Sequence, residues 1–370
     1  MPRNILLTPG PTPVPQAVRE VLALPIIHHR TPQYRKIFQT VSERLQKVFL
    51  TKRPVYVFTG SGTLAMEVAL VNFHAAGDEL LIVEAGKFGE RYTEIAKAYG
   101  LKATVLKVPY GDTVAPQAIR DALAKNPNLK SVCVQLCETS TGVLLDIKAI
   151  GAIVRATNAL LIVDAVSGIA ADRLETDVWG ADLVFAGSQK ALMLPPGLAF
   201  LSVSEKAEKN MTRANLPRYY ADLRLYQKGL LDWDSPFTPA VGLIIALDKA
   251  LDMIEKEGLE NVFARCAKLG EYTRARLQAM GLKLFAKAPS ATLSAACVPD
   301  GVDGKKLIKI MRDEKGVCMA GGQGEMDGKL VRICHMGAIR KEDIDEGLQV
   351  LQETLKSSVV SLQSTVKGPN

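Results

Sequence analysis

Between residues 55 and 201 the chain alternates short apolar or β-branched runs with longer helix-patterned stretches, and this alternation constrains the fold more than any other feature. Candidate strands are 55–58, 79–83, 103–108, 131–136, 160–163, 183–186 and 199–202. Helical patterns at 63–73, 89–99, 116–125 and 147–157 lie between most of them. Strand and helix in regular succession predict an α/β protein, with a mainly parallel seven-stranded sheet flanked by helices on both faces. In such sheets ligands collect at the carboxyl ends of the strands. Residues just beyond each run are therefore the candidates for chemistry.

After about residue 232 the pattern changes to long amphipathic helices, 240–256 and 259–280, followed by short strands around Ala291 and Leu330. That is the pattern of a smaller α+β C-terminal domain. The expected division is an extended N-terminal segment at 1–20, a large domain at 21–255 and a small domain at 256–370, with the glycine-rich stretch 321–328 a loop inside the small domain. The opening Thr8-Pro-Gly-Pro-Thr-Pro-Val-Pro15 cannot be helical. It reads as an extended run over another part of the molecule or as a loose tail, and Gly10 between two prolines marks a tight bend or a close approach.

Composition removes several classes. Hydrophobic residues are 48% and charged residues 23% of the 370, which permits a large core and excludes global disorder. The net charge of +7 is dispersed and aromatic residues are only 6%, so no basic stripe with stacking platforms points to nucleic acid. Small anionic substrates suit that charge as well. Six cysteines, at 133, 137, 266, 297, 318 and 334, form no CxxC pair, so neither zinc nor a disulfide framework is expected, and Cys133 and Cys137 read as small core residues. No apolar run is long enough for a membrane span, Met1-Pro-Arg-Asn4 lacks a signal peptide's apolar stretch, and the ending Val366-Lys-Gly-Pro-Asn370 matches no retention or peroxisomal signal. A cytoplasmic protein with reduced thiols is expected.

Three strand ends carry candidate chemistry. Thr59-Gly-Ser-Gly-Thr63 follows a strand and opens a helix, where backbone N–H groups and the helix dipole favour an anion; a plain capped turn is the alternative. It fits neither a Walker loop nor the dinucleotide fingerprint. Asp164 ends the hydrophobic run at 160–163, where a carboxylate needs a cation or hydrogen bonds; it either meets a cationic ring nitrogen or caps a turn. Lys190, in Gly187-Ser-Gln-Lys190, is flanked by small and apolar residues, so desolvation would free its amine as a nucleophile. An anion cradle, a buried carboxylate and an amine at successive strand ends match what pyridoxal 5′-phosphate requires.

Together with Pro195-Pro-Gly197, Asp164-Ala-Val166, Thr139-Ser-Thr-Gly142 and Thr8-Pro-Gly-Pro11, these motifs resemble the class V aminotransferases, in particular the alanine-glyoxylate and serine-pyruvate branch. The likeness runs from about Leu6 to Leu351. It implies a type I pyridoxal-phosphate transferase fold, small amino acids and 2-oxo acids as substrates, and a homodimer with active sites shared between chains. By motif, Lys190 corresponds to the Schiff-base lysine, Asp164 to the pyridinium partner and Val166 to a packing residue beneath the ring. Ser61, Gly62, Thr63 and Gln189 correspond to the phosphate set, Phe88 to the stacking aromatic, and Thr139 to the hydroxyl near the ring oxygen. Thr238 resembles a phosphate ligand lent by the neighbouring chain, and Arg332 the arginine that pairs with the substrate carboxylate, with Gly10 beside the substrate. Arg332 also has a case from chemistry alone, since guanidinium offers carboxylates a planar fork; a surface ion pair is its plain alternative.

Thr63, Phe88 and Ser235 stand where the well-known animal branch has His, Trp and Tyr. Ser235 is too short to reproduce a tyrosine's contact, leaving Tyr219 or Tyr220 as substitutes or as ordinary packing residues. His28-His-Arg30 either offers a second cationic contact or caps the first helix, and with four histidines in all no metal site is expected. Two rivals remain: a lyase of the cysteine desulfurase type, which would need Cys318 or Cys334 as a reactive thiol, and a non-catalytic α/β protein whose Ser61 to Thr63 turn merely holds an anion.

Overall fold

The computed structural model describes residues 4–366. The terminal stretches 1–3 and 367–370, read above for leader and targeting signals, lie outside the described residues. All seven expected strands form, as Val55–Gly60, Glu79–Glu84, Lys102–Lys107, Ser131–Gln135, Leu160–Asp164, Leu183–Gly187 and Gly197–Val203. They make one seven-stranded sheet. Starting from Val55–Gly60 the order across it is Gly197–Val203, Leu183–Gly187, Leu160–Asp164, Ser131–Gln135, Glu79–Glu84 and Lys102–Lys107. Only Gly197–Val203 runs against its neighbours. The carboxyl ends of the parallel strands therefore share one edge of the sheet with the amino end of Gly197–Val203.

The two-residue side-chain period of a strand explains why these runs are apolar throughout. Val57, Leu81, Val83, Val132, Val134, Leu161, Val163, Val184 and Phe200 face one buried cluster. Their alternates Tyr56, Phe58, Leu80, Ile82, Cys133, Ile162, Phe185 and Leu201 face another. Each face is covered by helices that the sequence pattern anticipates, among them Gly62–Val71 and Lys87–Ala98 on the second face. The half-exposed edge strand Lys102–Lys107 carries lysine at both ends, which discourages pairing with another chain.

The proline-rich opening is a run laid over another part of the molecule rather than a loose tail. Ile5–Leu6 pairs with Val317–Cys318 from the far end of the chain, while Thr12 donates from its N–H to Gln189 O at 3.0 Å and from its hydroxyl to Lys190 O at 2.7 Å. The extended run ends at Pro15 rather than at residue 20, because Gln16–Leu22 is a helix with Pro15 at its N-cap. Val241–Glu257 and Leu259–Ala279 are the long helices expected, separated by Gly258 at φ 83°. Beyond them Leu293–Cys297, Leu330–Cys334 and Ala320–Gly321 form a three-stranded antiparallel sheet. The glycine-rich loop that follows folds onto the large sheet's loops, since a Cβ at Gly324 would sit 3.1 Å from both Lys87 Cδ and Tyr110 Oη.

Candidate active site

A cavity of about 350 Å³ opens at the shared strand edge, lined by the ends of five strands and by the proline-rich opening. Ser61, Gly62 and Thr63 come from the turn into Gly62–Val71, Phe88 from the start of Lys87–Ala98, and Thr139 from beyond Ser131–Gln135. Asp164 and Val166 come from Leu160–Asp164 and the turn after it, and Gln189 and Lys190 from beyond Leu183–Gly187. Gly10 and Pro11 close it from the opening segment. Sequence motifs scattered over 180 residues thus meet in one place because every parallel strand delivers its carboxyl end to the same edge.

The anion cradle has the features a phosphate needs. Ser61 is the N-cap of Gly62–Val71 yet makes no side-chain capping bond, so its hydroxyl and the first helical N–H groups remain available at the positive end of the helix dipole. Gly62 is required by space: a Cβ there would lie 2.7 Å from Val166 Cγ2. Gln189 brings its side-chain amide to the cradle with Oε1 buried and unpartnered, and it is the NH₂ of that amide that can donate to a phosphate.

Asp164 and Lys190 are both below a tenth exposed, and burial shifts each toward its neutral form. Asp164 is pushed up to about 7, mainly by desolvation and also by the Glu138 charge, against the pull of Val166 N–H on Oδ1 at 2.9 Å and of Lys190. Desolvation lowers Lys190 to about 8. Its Nζ donates to Pro9 O, and a Cβ on Gly10, which has φ 118°, would fall 2.5 Å from Lys190 Cε and 2.6 Å from Nζ. Glycine is therefore the one residue that lets the opening segment cross the lysine this closely. Thr139 shares its hydroxyl with Ser167, which also lines the cavity.

Two expected site residues do not line this cavity. Arg332 reaches across from Leu330–Cys334, donating Nε to Gly321 O at 2.8 Å and Nη1 to Thr139 O at 2.7 Å. Only 5% exposed, with its pKa lowered to about 10 by burial, it forms no ion pair among the described residues and is tied to the cavity through Thr139. A plain surface pair is thereby excluded. Thr238 is exposed, two residues before Ala240, whose N–H donates to the Thr59 hydroxyl at 2.9 Å. Ser235 spends its hydroxyl on Phe237 O at 2.8 Å, and Tyr220 donates to Thr59 O at 3.0 Å while stacking on Phe237.

Neither His28 to Arg30 nor any of the cysteines lines the cavity. His28 to Arg30 does not cap the first helix, which ends at Leu22 with Ala23 as its C-cap. Arg30 instead pairs with Asp234 at 2.8 Å, joined there by Arg35 at 3.2 Å. All six cysteines are free, and neither Cys318 nor Cys334 lines the cavity; burial pushes the Cys334 thiol up to about 12. No reactive thiol of the desulfurase kind is therefore offered.

Sequence reasoning passed over Arg91 and Met66, which also line the cavity. Arg91 lies three residues after Phe88 on the same helix, and its guanidinium sits 4.8 Å from the centre of that ring. That helical spacing was the available signal.

A desolvated lysine, a buried carboxylate and a helix-end anion cradle, converging at the strand ends of a helix-flanked parallel sheet, define the class of a pyridoxal-phosphate enzyme, and the donors present fit that cofactor. Comparison with known proteins agrees. The family model described as aminotransferase class-V matches residues 9–341, and the chain belongs to that family. It is 40% identical to an uncharacterized aminotransferase of Methanocaldococcus jannaschii, over 96% of this chain and 93% of the relative. It is 36% identical to the serine–glyoxylate aminotransferase of Methylorubrum extorquens, over 92% and 88%. The crystal structure of alanine–glyoxylate aminotransferase from Nostoc sp. superposes with a TM-score of 0.92 at 32% identity, covering 96% of each chain.

Proposed function

We propose that this protein is a pyridoxal-phosphate-dependent transaminase that moves the amino group of a small amino acid, alanine or serine, to a 2-oxo acid, glyoxylate or pyruvate. The convergence of Lys190, Asp164 and the Ser61–Thr63 turn on one cavity carries this reading. The names of the relatives support the choice of serine, alanine and glyoxylate.

Bound there, pyridoxal phosphate supplies an aldehyde that bonds amines and a ring that takes up the electrons left when an α-proton departs. The chain's own residues do the rest. Ser61, Gly62, Thr63 and Gln189 would hold the phosphate, and Phe88 and Val166 give the ring apolar walls. Asp164 would keep the ring nitrogen protonated; a cation beside it draws its carboxyl back toward the ionised form that burial disfavours. Lys190, with a pKa near 8, has a useful fraction of neutral amine at neutral pH, first as the group that holds the cofactor and then as the base that carries the α-proton. Arg332 would turn its fork to the substrate carboxylate.

The same proposal places the chain in a cytoplasmic homodimer, divided near residue 255 into a large unit and the smaller one that bears Arg332. Leu24, Ile26, Tyr219 and Leu231 are exposed apolar side chains that a second copy would cover, and Thr238 then becomes a phosphate ligand for the partner. Purified protein should absorb near the visible edge, and a panel of alanine, serine and aspartate against glyoxylate, pyruvate and 2-oxoglutarate should show turnover with the small pairs. A colourless protein that gains no band with added pyridoxal phosphate would overturn the reading.

A further inference from the structure

One buried carboxylate beside the cavity has no part in the chemistry above. Glu138 is fully buried, ends the short strand Cys137–Glu138 and immediately precedes Thr139. Its Oε1 accepts from Ser140 N–H at 3.1 Å and from Ser140 Oγ at 2.5 Å. Its Oε2 accepts from the N–H groups of Phe88 and Gly89, each at 3.1 Å. Those two amides belong to the first turn of Lys87–Ala98, a helix whose N-cap, Gly86, supplies no capping side chain. A Cβ at Gly86 would lie 2.3 Å from Ser140 Oγ and 2.6 Å from Glu138 Cδ, so the glycine makes room for a cap delivered from fifty residues away.

The donor set demands a carboxylate. Burial raises the Glu138 pKa while these same hydrogen bonds draw it down. Backbone N–H groups can only donate and an ionised carboxylate only accepts, so every contact is matched when it is ionised, with its charge at the positive end of the helix. Glutamine in the same place would turn an NH₂ against N–H donors on one side. Phe88 is thus held twice: its backbone by Glu138 and its ring by the Arg91 guanidinium one turn on.

We propose that Glu138 is a positioning residue, whose carboxylate caps the helix that carries Phe88 and so fixes the aromatic wall against which the cofactor ring packs. The inference rests on the pyridoxal-phosphate reading for its consequence, and on this chain's hydrogen bonds alone for the cap. Two measurements separate them. In cofactor-free protein, hydrogen exchange at the Phe88 and Gly89 amides should accelerate at least tenfold in Glu138→Gln and stay near wild type in Phe88→Leu. In titrations with pyridoxal phosphate, each single variant should bind about tenfold or more weakly, a loss of the size expected from one buried charged hydrogen-bond set. The double variant should then be little worse than Phe88→Leu, because Glu138 acts through Phe88.

Multiplying losses in the double variant, or unchanged amide exchange in Glu138→Gln, would overturn the proposal. If Glu138→Gln does not fold, Ser140→Ala serves instead, since it removes the hydroxyl that anchors Oε1; it should weaken binding several-fold in the wild type and not in Phe88→Leu. Ser140→Ala losses that persist in Phe88→Leu would equally refute it. Wild-type protein that binds no pyridoxal phosphate defeats the functional reading, while the exchange comparison still decides the cap.

Discussion

Replacing Lys190 with methionine in the cofactor-free protein should make it more stable at pH 7, although it removes the residue on which the proposed activity depends. Lys190 is 7% exposed, and its pKa falls from 10.5 to about 8 in the folded chain. At 1.36 kcal/mol per tenfold, the folded state disfavours the charged amine by about 3 kcal/mol relative to the unfolded chain. The attraction of Asp164 is already contained in that value. Methionine has similar length and no charge, so it relieves the penalty but forfeits the Nζ bond to Pro9 O, a loss of about 1 to 2 kcal/mol. The net gain at pH 7 is then about 1 to 2 kcal/mol.

The pH dependence fixes the sign. A lysine whose folded pKa lies below its unfolded value destabilises fully below the folded pKa, and the penalty disappears as pH rises from about 8 to 10.5. The advantage of Lys190→Met should therefore shrink across that window and reverse near its upper end, where only the lost hydrogen bond remains. Urea midpoints of the two cofactor-free proteins, taken from pH 7 to 10, make the measurement. A variant less stable than wild type at pH 7, or a difference that ignores pH, would refute the burial argument.

Asp164→Asn should stabilise the cofactor-free protein in the opposite window. Its carboxyl titrates near 7 when folded and near 3.8 when not, so the relief is absent below pH 4, grows up to pH 7 and is constant above, again by urea midpoints. Turnover should nonetheless fall about 30-fold or more if, as proposed, the Asp164 charge faces the cofactor's ring nitrogen. Arg332→Lys keeps the charge and loses the fork; at about 2 to 5 kcal/mol, kcat/KM for alanine and for glyoxylate should drop together by roughly 30- to 4,000-fold, while amines without a carboxylate change little. Equal losses for both kinds of substrate would mean that Arg332 serves only to hold Gly321 and Thr139. Gly10→Ala should disable the enzyme outright and lower stability by about 1 to 3 kcal/mol, because its Cβ meets Lys190 at a backbone angle that disfavours alanine.

What could be read from the sequence followed from chemistry that is local in the chain. The seven strands were legible because a strand buried on both faces is apolar at every position, and the helices because their apolar residues recur with helical spacing. Lys190, Asp164 and Ser61 to Thr63 were legible because each sits at the end of such a strand, so fold and site were one inference. The helix at Gln16–Leu22 was hidden by the prolines before it, which fix only the residues up to its N-cap. The pairing of Arg30 was not legible because its partner, Asp234, lies two hundred residues away.

Glu138 shows a deeper limit. In the sequence it is one acid between an apolar run and the Thr139-Ser-Thr-Gly142 motif, with no cation beside it to mark it. Its meaning comes from two segments that meet only in the folded chain: the helix start from Gly86 to Gly89 and the turn at Ser140. Its charge also raises Asp164 and counters the lowering of Arg332, so one buried carboxylate bears on Phe88, Asp164 and Arg332 together. A strand end can announce the residue that reacts, because reactivity requires a particular side chain at a particular edge. The residue that holds the reacting parts in register is identified only by the donors that surround it, and those are contributed mostly by backbone, on which the sequence is silent.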